Sequence, residues 1–121
     1  MRFNPSTEDE VQARAVWGRG LYAFRVVDAE ERISEAGNEM IDLKIELHKR
    51  DGATKIVHDY LLAKGPAAAK FLHACVVCGV LDKWKAGVVS ADDFVGKSGR
   101  LKLSIQTRKQ WPTKNVVTDY V

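Results

Sequence analysis

Six basic residues and no acidic one lie between Phe94 and Thr118: Lys97, Arg100, Lys102, Arg108, Lys109 and Lys114. A run of one sign attracts polyanions. Trp111 sits inside it, in the segment Thr107-Arg108-Lys109-Gln110-Trp111-Pro112-Thr113-Lys114. Binding a single-stranded nucleic acid takes cations that follow the phosphates and aromatic faces that stack on unpaired bases, each stacked base contributing about 1–3 kcal/mol. Arg108, Lys109, Trp111 and Lys114 supply both in one stretch, and Arg100 and Lys102 extend the cationic track along one strand face. The plainer alternatives are a solvated strand face with acidic partners from elsewhere in the fold, and an indole folded back as a lid. Lys83-Trp84-Lys85 repeats the cation–aromatic theme, and there packing of Trp84 against the domain is the simpler expectation.

Other chemistries find little support. Cys75 and Cys78 form a lone C-x-x-C. A structural zinc site needs four ligands, and a redox pair belongs at a helix start just after a strand. These two lie late in an Ala-rich apolar stretch, where they read as small buried thiols. The three histidines, His48, His58 and His73, fall in no nucleophilic triad pattern, and neither a P-loop nor a G-x-G-x-x-G run occurs. Asp92-Asp93 reads as a helix start, where negative charge suits the dipole. No catalytic residue, metal ligand or cofactor is expected, and the chain reads as a binding protein and not an enzyme.

Composition and pattern bound the fold that carries these residues. The chain has 121 residues, 45% apolar and 29% charged, enough for one domain with its own core. Residues 1–60 hold nine Lys and Arg against twelve Asp and Glu, whereas residues 61–121 hold ten against four, so the basic character is a property of the second half. No apolar stretch has the length of a membrane span or the form of a signal peptide, and a cytoplasmic location is expected.

Residues 1–17 read as an N-terminal lead-in, partly helical or flexible, with Ser6 capping and Glu8, Asp9 and Glu10 in the first turn. Residues 18–121 read as the domain. Leu21 to Ala29 predicts a strand, with Tyr22 and Phe24 as core and a bulge suggested by adjacent Val26 and Val27. Ser34 to Asn38 is a turn. Ile41, Leu43, Ile45 and Leu47 alternate with Asp42, Lys44, Glu46 and His48, the signature of a strand with one dry face. Asp51-Gly52 marks a hairpin, and Thr54 to Leu62 a third strand whose apolar residues are Ile56, Val57, Tyr60 and Leu61. On the wet face of the second and third strands Lys44, His48, Lys55, His58 and Tyr60 mix with Asp42, Glu46 and Asp59, so that face comes out nearly neutral in charge. Ala67 to Val77 predicts a helix, ended by Gly79, and Ser90-Ala91-Asp92-Asp93 caps one further turn. Leu101, Leu103 and Ile105 give a fourth strand. Residues 107–114 then read as a loop, and Asn115 to Val121 as a closing strand.

Strand–strand–strand–helix–strand–strand is the element order of the OB-fold, a five-stranded Greek-key barrel. The expected class is therefore all-β with one helix, closed as a barrel. The alternative is an open antiparallel sheet with a packed helix.

The segments Gly20-Leu21-Tyr22, Ser34-Glu35-Ala36-Gly37-Asn38-Glu39-Met40-Ile41, Asp59-Tyr60-Leu61, Asp93-Phe94-Val95-Gly96-Lys97 and Asn115-Val116-Val117-Thr118-Asp119-Tyr120 resemble a family of small phage- and prophage-encoded proteins of the single-stranded-DNA-binding type. The resemblance covers residues 18 to 121. It implies an OB-fold, a role in DNA replication or recombination inside a bacterial host, and no catalytic motif. Together with the basic stretch, it leads to the expectation of a single-stranded-DNA-binding protein of low sequence specificity. The rival expectation is a protein–protein module that docks a replication or recombination enzyme. A homo-oligomer is compatible with either.

Overall fold

The structure, a computed structural model, describes residues 16–108 and 111–121, with the backbone alone at residues 108, 111 and 112. It contains five strands: β1 (Gly20–Ile33), β2 (Glu39–His48), β3 (Thr54–Leu61), β4 (Ser98–Arg108) and β5 (Trp111–Tyr120). Between β3 and β4 come helix α1 (Ala67–Val77), the short helix α2 (Leu81–Ala86) and a 3-10 turn at Ala91–Asp93. All ladders are antiparallel, in the order β3-β2-β1-β4-β5.

Alternation sorts the sheet into a dry concave face and a wet convex one. Ile41, Leu43, Ile45 and Leu47 of β2 all turn inward, together with Phe24 and Val26 of β1, Leu101 and Leu103 of β4, and Val117 of β5. Each such side chain taken fully from water contributes roughly 1.5–3 kcal/mol. Phe71, Ala74 and Cys75 of α1 close one opening of this cup, and Phe94 enters it from the turn after Ala91–Asp93. That turn is fixed by Asp93, whose carboxylate accepts the Ser90 N–H (2.9 Å) and hydroxyl (3.2 Å). The register of β1 slips between Val26 and Asp28, a bulge at Val27. There Val26 exchanges backbone bonds with Lys97 O and Gly96 N, both 2.8 Å, which ties the turn segment to β1.

The sheet is not closed into a barrel: no backbone ladder joins β3 to β5. The open antiparallel sheet with packed helices is what forms, an arrangement for which the partly open OB-fold has room. The reason lies at the seam. The ends of β3 and β5 approach, but side chains bridge them. Tyr120 Oη donates to Asp59 Oδ2 (2.7 Å), and Lys70 Nζ from α1 donates to Asp59 Oδ1 (2.7 Å).

Two further expectations are corrected. Among the described residues there are two helices, because Leu81–Ala86 forms a turn and a half that carries Lys83, Trp84 and Lys85. Residues 107–114 are no extended loop: β4 runs to Arg108, β5 starts at Trp111, and these two residues pair across the ladder. In β3 the inward residues are Val57, Asp59 and Leu61, while Ile56 and Tyr60 point out, 45% and 46% exposed. Cys75 and Cys78 are buried and unbridged. Burial, with Asp93 nearby for Cys75 and Cys75 itself for Cys78, pushes each thiol up to about 11, which leaves them inert as nucleophiles. Trp17 belongs to the core at 3% exposure. Its backbone N–H donates to Asn115 Oδ1 and its backbone carbonyl accepts from Asn115 Nδ2, both 2.7 Å. Among the described residues no helix is long and apolar enough to cross a membrane.

Candidate nucleic-acid interface

On β4, Leu101 and Leu103 go into the core, so Arg100 and Lys102 must stand on the convex face, where both are exposed. The neighbouring strands decide what joins them. Residues directly opposite in a ladder share a face. On β1, Leu21 lies opposite Lys102, Ala23 opposite Arg100 and Arg25 opposite Ser98. Arg25 is thus the diagonal neighbour of Arg100, about 7–8 Å away along such a ladder. Arg19, just before β1, donates from Nε to Ser104 Oγ at 3.3 Å, which holds its guanidinium over β4 beyond Lys102. On β5, exposed Lys114 lies opposite Gln106.

The convex face of β1, β4 and β5 therefore collects Arg19, Arg25, Arg100, Lys102 and Lys114 around the half-exposed Leu21. Two carboxylates adjoin them. Glu46, across from Arg25 on β2, is 3.0 Å from His48 Nε2. Asp119, across from Lys102, is 2.7 Å from His73 Nδ1. Burial pushes the Asp119 carboxyl up, but the His73 contact, the Tyr120 N–H and the charges of His73 and Lys102 outweigh it and hold it below its ordinary value. Arg25 and Arg100 have no ion-pair partner among the described residues, so their charge stays available to a ligand.

The sequence-predicted set divides accordingly. Arg100, Lys102 and Lys114 are exposed on the β4–β5 hairpin. Arg108 and Trp111 face each other through their backbones at its tip, and their side chains fall outside the described part, as does Lys109 altogether. Arg19 and Arg25 are additions from the structure. Arg25 did carry a signal, since it sits between inward Phe24 and Val26 in the alternation of β1.

The rest of the convex face is chemically different. Asp42 on β2 is buried although it points outward, because His58 Nδ1 (2.8 Å) and Arg32 Nε (3.0 Å) cover its two oxygens. The near-neutrality expected of β2 and β3 is thus built from local pairs. Among the described residues no three His, Cys, Asp or Glu side chains gather in a way that would hold a metal ion. The sequence matches no known protein-family model, and no curated protein aligns with it significantly.

Proposed function

We propose that this chain binds single-stranded DNA with low sequence specificity, in DNA replication or recombination in the cytoplasm of a phage- or prophage-carrying bacterial cell. The observation that carries the proposal is the convergence of Arg25, Arg100 and Lys102 on one convex surface, with Arg25 and Arg100 in no ion pair among the described residues. Guanidinium groups suit phosphate because their donors form a planar fork. Spacing of about 7 Å along and across the strands lets neighbouring cations take successive phosphates of an extended strand. Cations of this kind meet the phosphate backbone, which carries no sequence information, so sequence preference stays weak. Trp111, at the tip of the same hairpin, is the residue proposed to stack on a base. The role is one of binding without catalysis or cofactor, and the resemblance to phage proteins of the single-stranded-DNA-binding type points the same way.

The test is fluorescence anisotropy of a labelled oligo-thymidine titrated with the full chain. The double variant Arg100→Glu and Lys102→Glu should weaken binding by two orders of magnitude or more, on the order of 3 kcal/mol for two reversed phosphate contacts. Undiminished affinity would remove this face from consideration.

A further inference from the structure

A second concave surface lies at the opposite end of β1. There β1 and β2 pair out to Ile33 and Glu39, whereas β3 stops at Leu61 opposite Ile41. The β1–β2 hairpin overhangs as a result, and α2 faces its concave side. Between them lies a cavity of about 650 Å³, within the usual range for ligand sites. Its floor is apolar, made by Phe71 of α1, Trp84 of α2, Leu61 of β3, and Ile33 and Ile41 of the hairpin. Trp84 remains 39% exposed and Ile33 65%. An indole and an isoleucine left in water beside a cavity mark a contact surface.

Its rim is acidic. Glu31 and Glu39 both line the cavity, and neither has an ion-pair partner among the described residues. The cation in the wall, Arg32, is taken up by Glu30 (2.8 Å) and Asp42 (3.0 Å). Lys83 and Lys85 of α2 are not part of the lining. A nucleic acid is repelled from such a rim. We infer that this groove docks a peptide segment of a partner protein in which an apolar or aromatic anchor is flanked by Lys or Arg. The anchor fills the space between Phe71, Trp84 and Ile33, and the flanking cations meet Glu31 and Glu39. A peptide fits better than a small molecule because β2 outruns β3 by Glu39 and Met40, which leaves a strand edge on which an extended segment can add main-chain bonds. The inference stands independently of DNA binding, since it uses the other end of the molecule.

The probes are two amidated peptides, Lys-Lys-Leu-Phe-Lys-Lys and Glu-Glu-Leu-Phe-Glu-Glu, added to the isotopically labelled full chain. The Trp84 indole resonance is assigned from Trp84→Phe. The cationic peptide should shift that resonance saturably, and the anionic one should bind about tenfold more weakly or worse. The double variant Glu31→Lys and Glu39→Lys should invert the preference while its affinity for oligo-thymidine does not fall. Both glutamates are exposed, and the milder pair Glu31→Gln and Glu39→Gln, which should weaken the cationic peptide without attracting the anionic one, covers the case where reversal disturbs folding. Equal binding of the two peptides, an unmoved Trp84 signal, or indifference to the glutamate variants would overturn the inference. So would a dimer in light scattering that Trp84→Ala dissociates, because the groove would then belong to a second copy.

Discussion

Asp59 is the residue on which the β3–β5 seam turns. Burial raises its carboxyl above the ordinary carboxylate value, even though the Lys70 charge and the hydrogen bonds from Lys70, Tyr120 and its own neighbour's N–H pull the other way. The same burial, together with Asp59, lifts the Tyr120 phenol well above its usual range, so it stays a donor at any physiological pH. Removing that donor leaves a buried carboxylate oxygen unpaired. Tyr120→Phe should therefore cost about 1–3 kcal/mol in urea denaturation. The pH dependence has a definite sign. A carboxyl raised in the folded state binds its proton more tightly there than in the unfolded chain. Its contribution to stability is full below the ordinary carboxylate value and declines as pH rises through the folded value. Asp93 and Asp119 are lowered, Asp93 chiefly by the Ser90 N–H and Asp119 by His73 and the Tyr120 N–H against the effect of burial. Their contributions are present above the ordinary carboxylate value and vanish as pH falls through the folded one. Asp119→Asn should flatten the rise of stability with pH below the ordinary carboxylate value, and Asp59→Asn should remove a decline of stability with pH just above it. Matching slopes in the two variants would contradict the assignment.

Elements meet closely where a small residue permits it. Gly99, the second residue of β4, lies under Val77 at the end of α1, and a methyl group built on it would collide with Val77 Cγ1 and lie 3.3 Å from Phe24 Cε1. Both are side chains of the packed interior, so Gly99→Ala should cost about 1–3 kcal/mol by overpacking, read as a lowered melting temperature with the far-ultraviolet spectrum retained. No sequence pattern announces this, since a glycine in a strand looks the same whether it meets a helix or solvent. What could be read were the elements whose own periodicity suffices. β2 alternates without a fault, the β1 bulge shows as adjacent valines, α1 has its spacing, and Gly79 ends it with φ 75°. What could not be read depended on distant partners. Asp59 looked like a surface residue because the groups that let it go inward lie 11 and 61 positions away. Helix α2 has six residues, too few to show a period. Residues 107–114 looked like a loop because Gln110 and Pro112 dilute the strand signal, yet ladder pairing with β4 overrides local propensity. The candidate interface was legible to the same extent: Arg100 and Lys102 follow from β4 alone, while Arg19 and Arg25 reach it only through the β1–β4 pairing.

The antiparallel order also gives the molecule its polarity. β1 has 14 residues, and only Gly20 to Arg25 pair with β4. Its first half, with Arg25, is therefore drawn into the basic β4–β5 region. Its second half leaves β4 behind and carries Glu30 and Glu31 out on the hairpin with Glu35 and Glu39. Counting charge by halves of the sequence puts Arg25 on the acidic side, and the fold moves it across. If DNA follows the convex cations as proposed, Arg25, Arg100, Lys102 and Lys114 neutralise about four phosphates, and the logarithmic salt slope should be near −3, at about −0.7 per phosphate of a single strand. Affinity for oligo-thymidine should then fall about fifty-fold between 50 and 200 mM monovalent salt. Arg25→Gln should reduce the slope by about 0.7, because one fewer counterion is released. Glu35→Gln, at the hairpin tip far from that face, should raise affinity slightly through the weakened repulsion and leave the slope unchanged. The comparison separates a local contact from a general effect of net charge, since both substitutions change the total by one unit. Equal slopes for Arg25→Gln and the parent chain would mean that the strand does not pass over β1, and that the cations there serve only solubility.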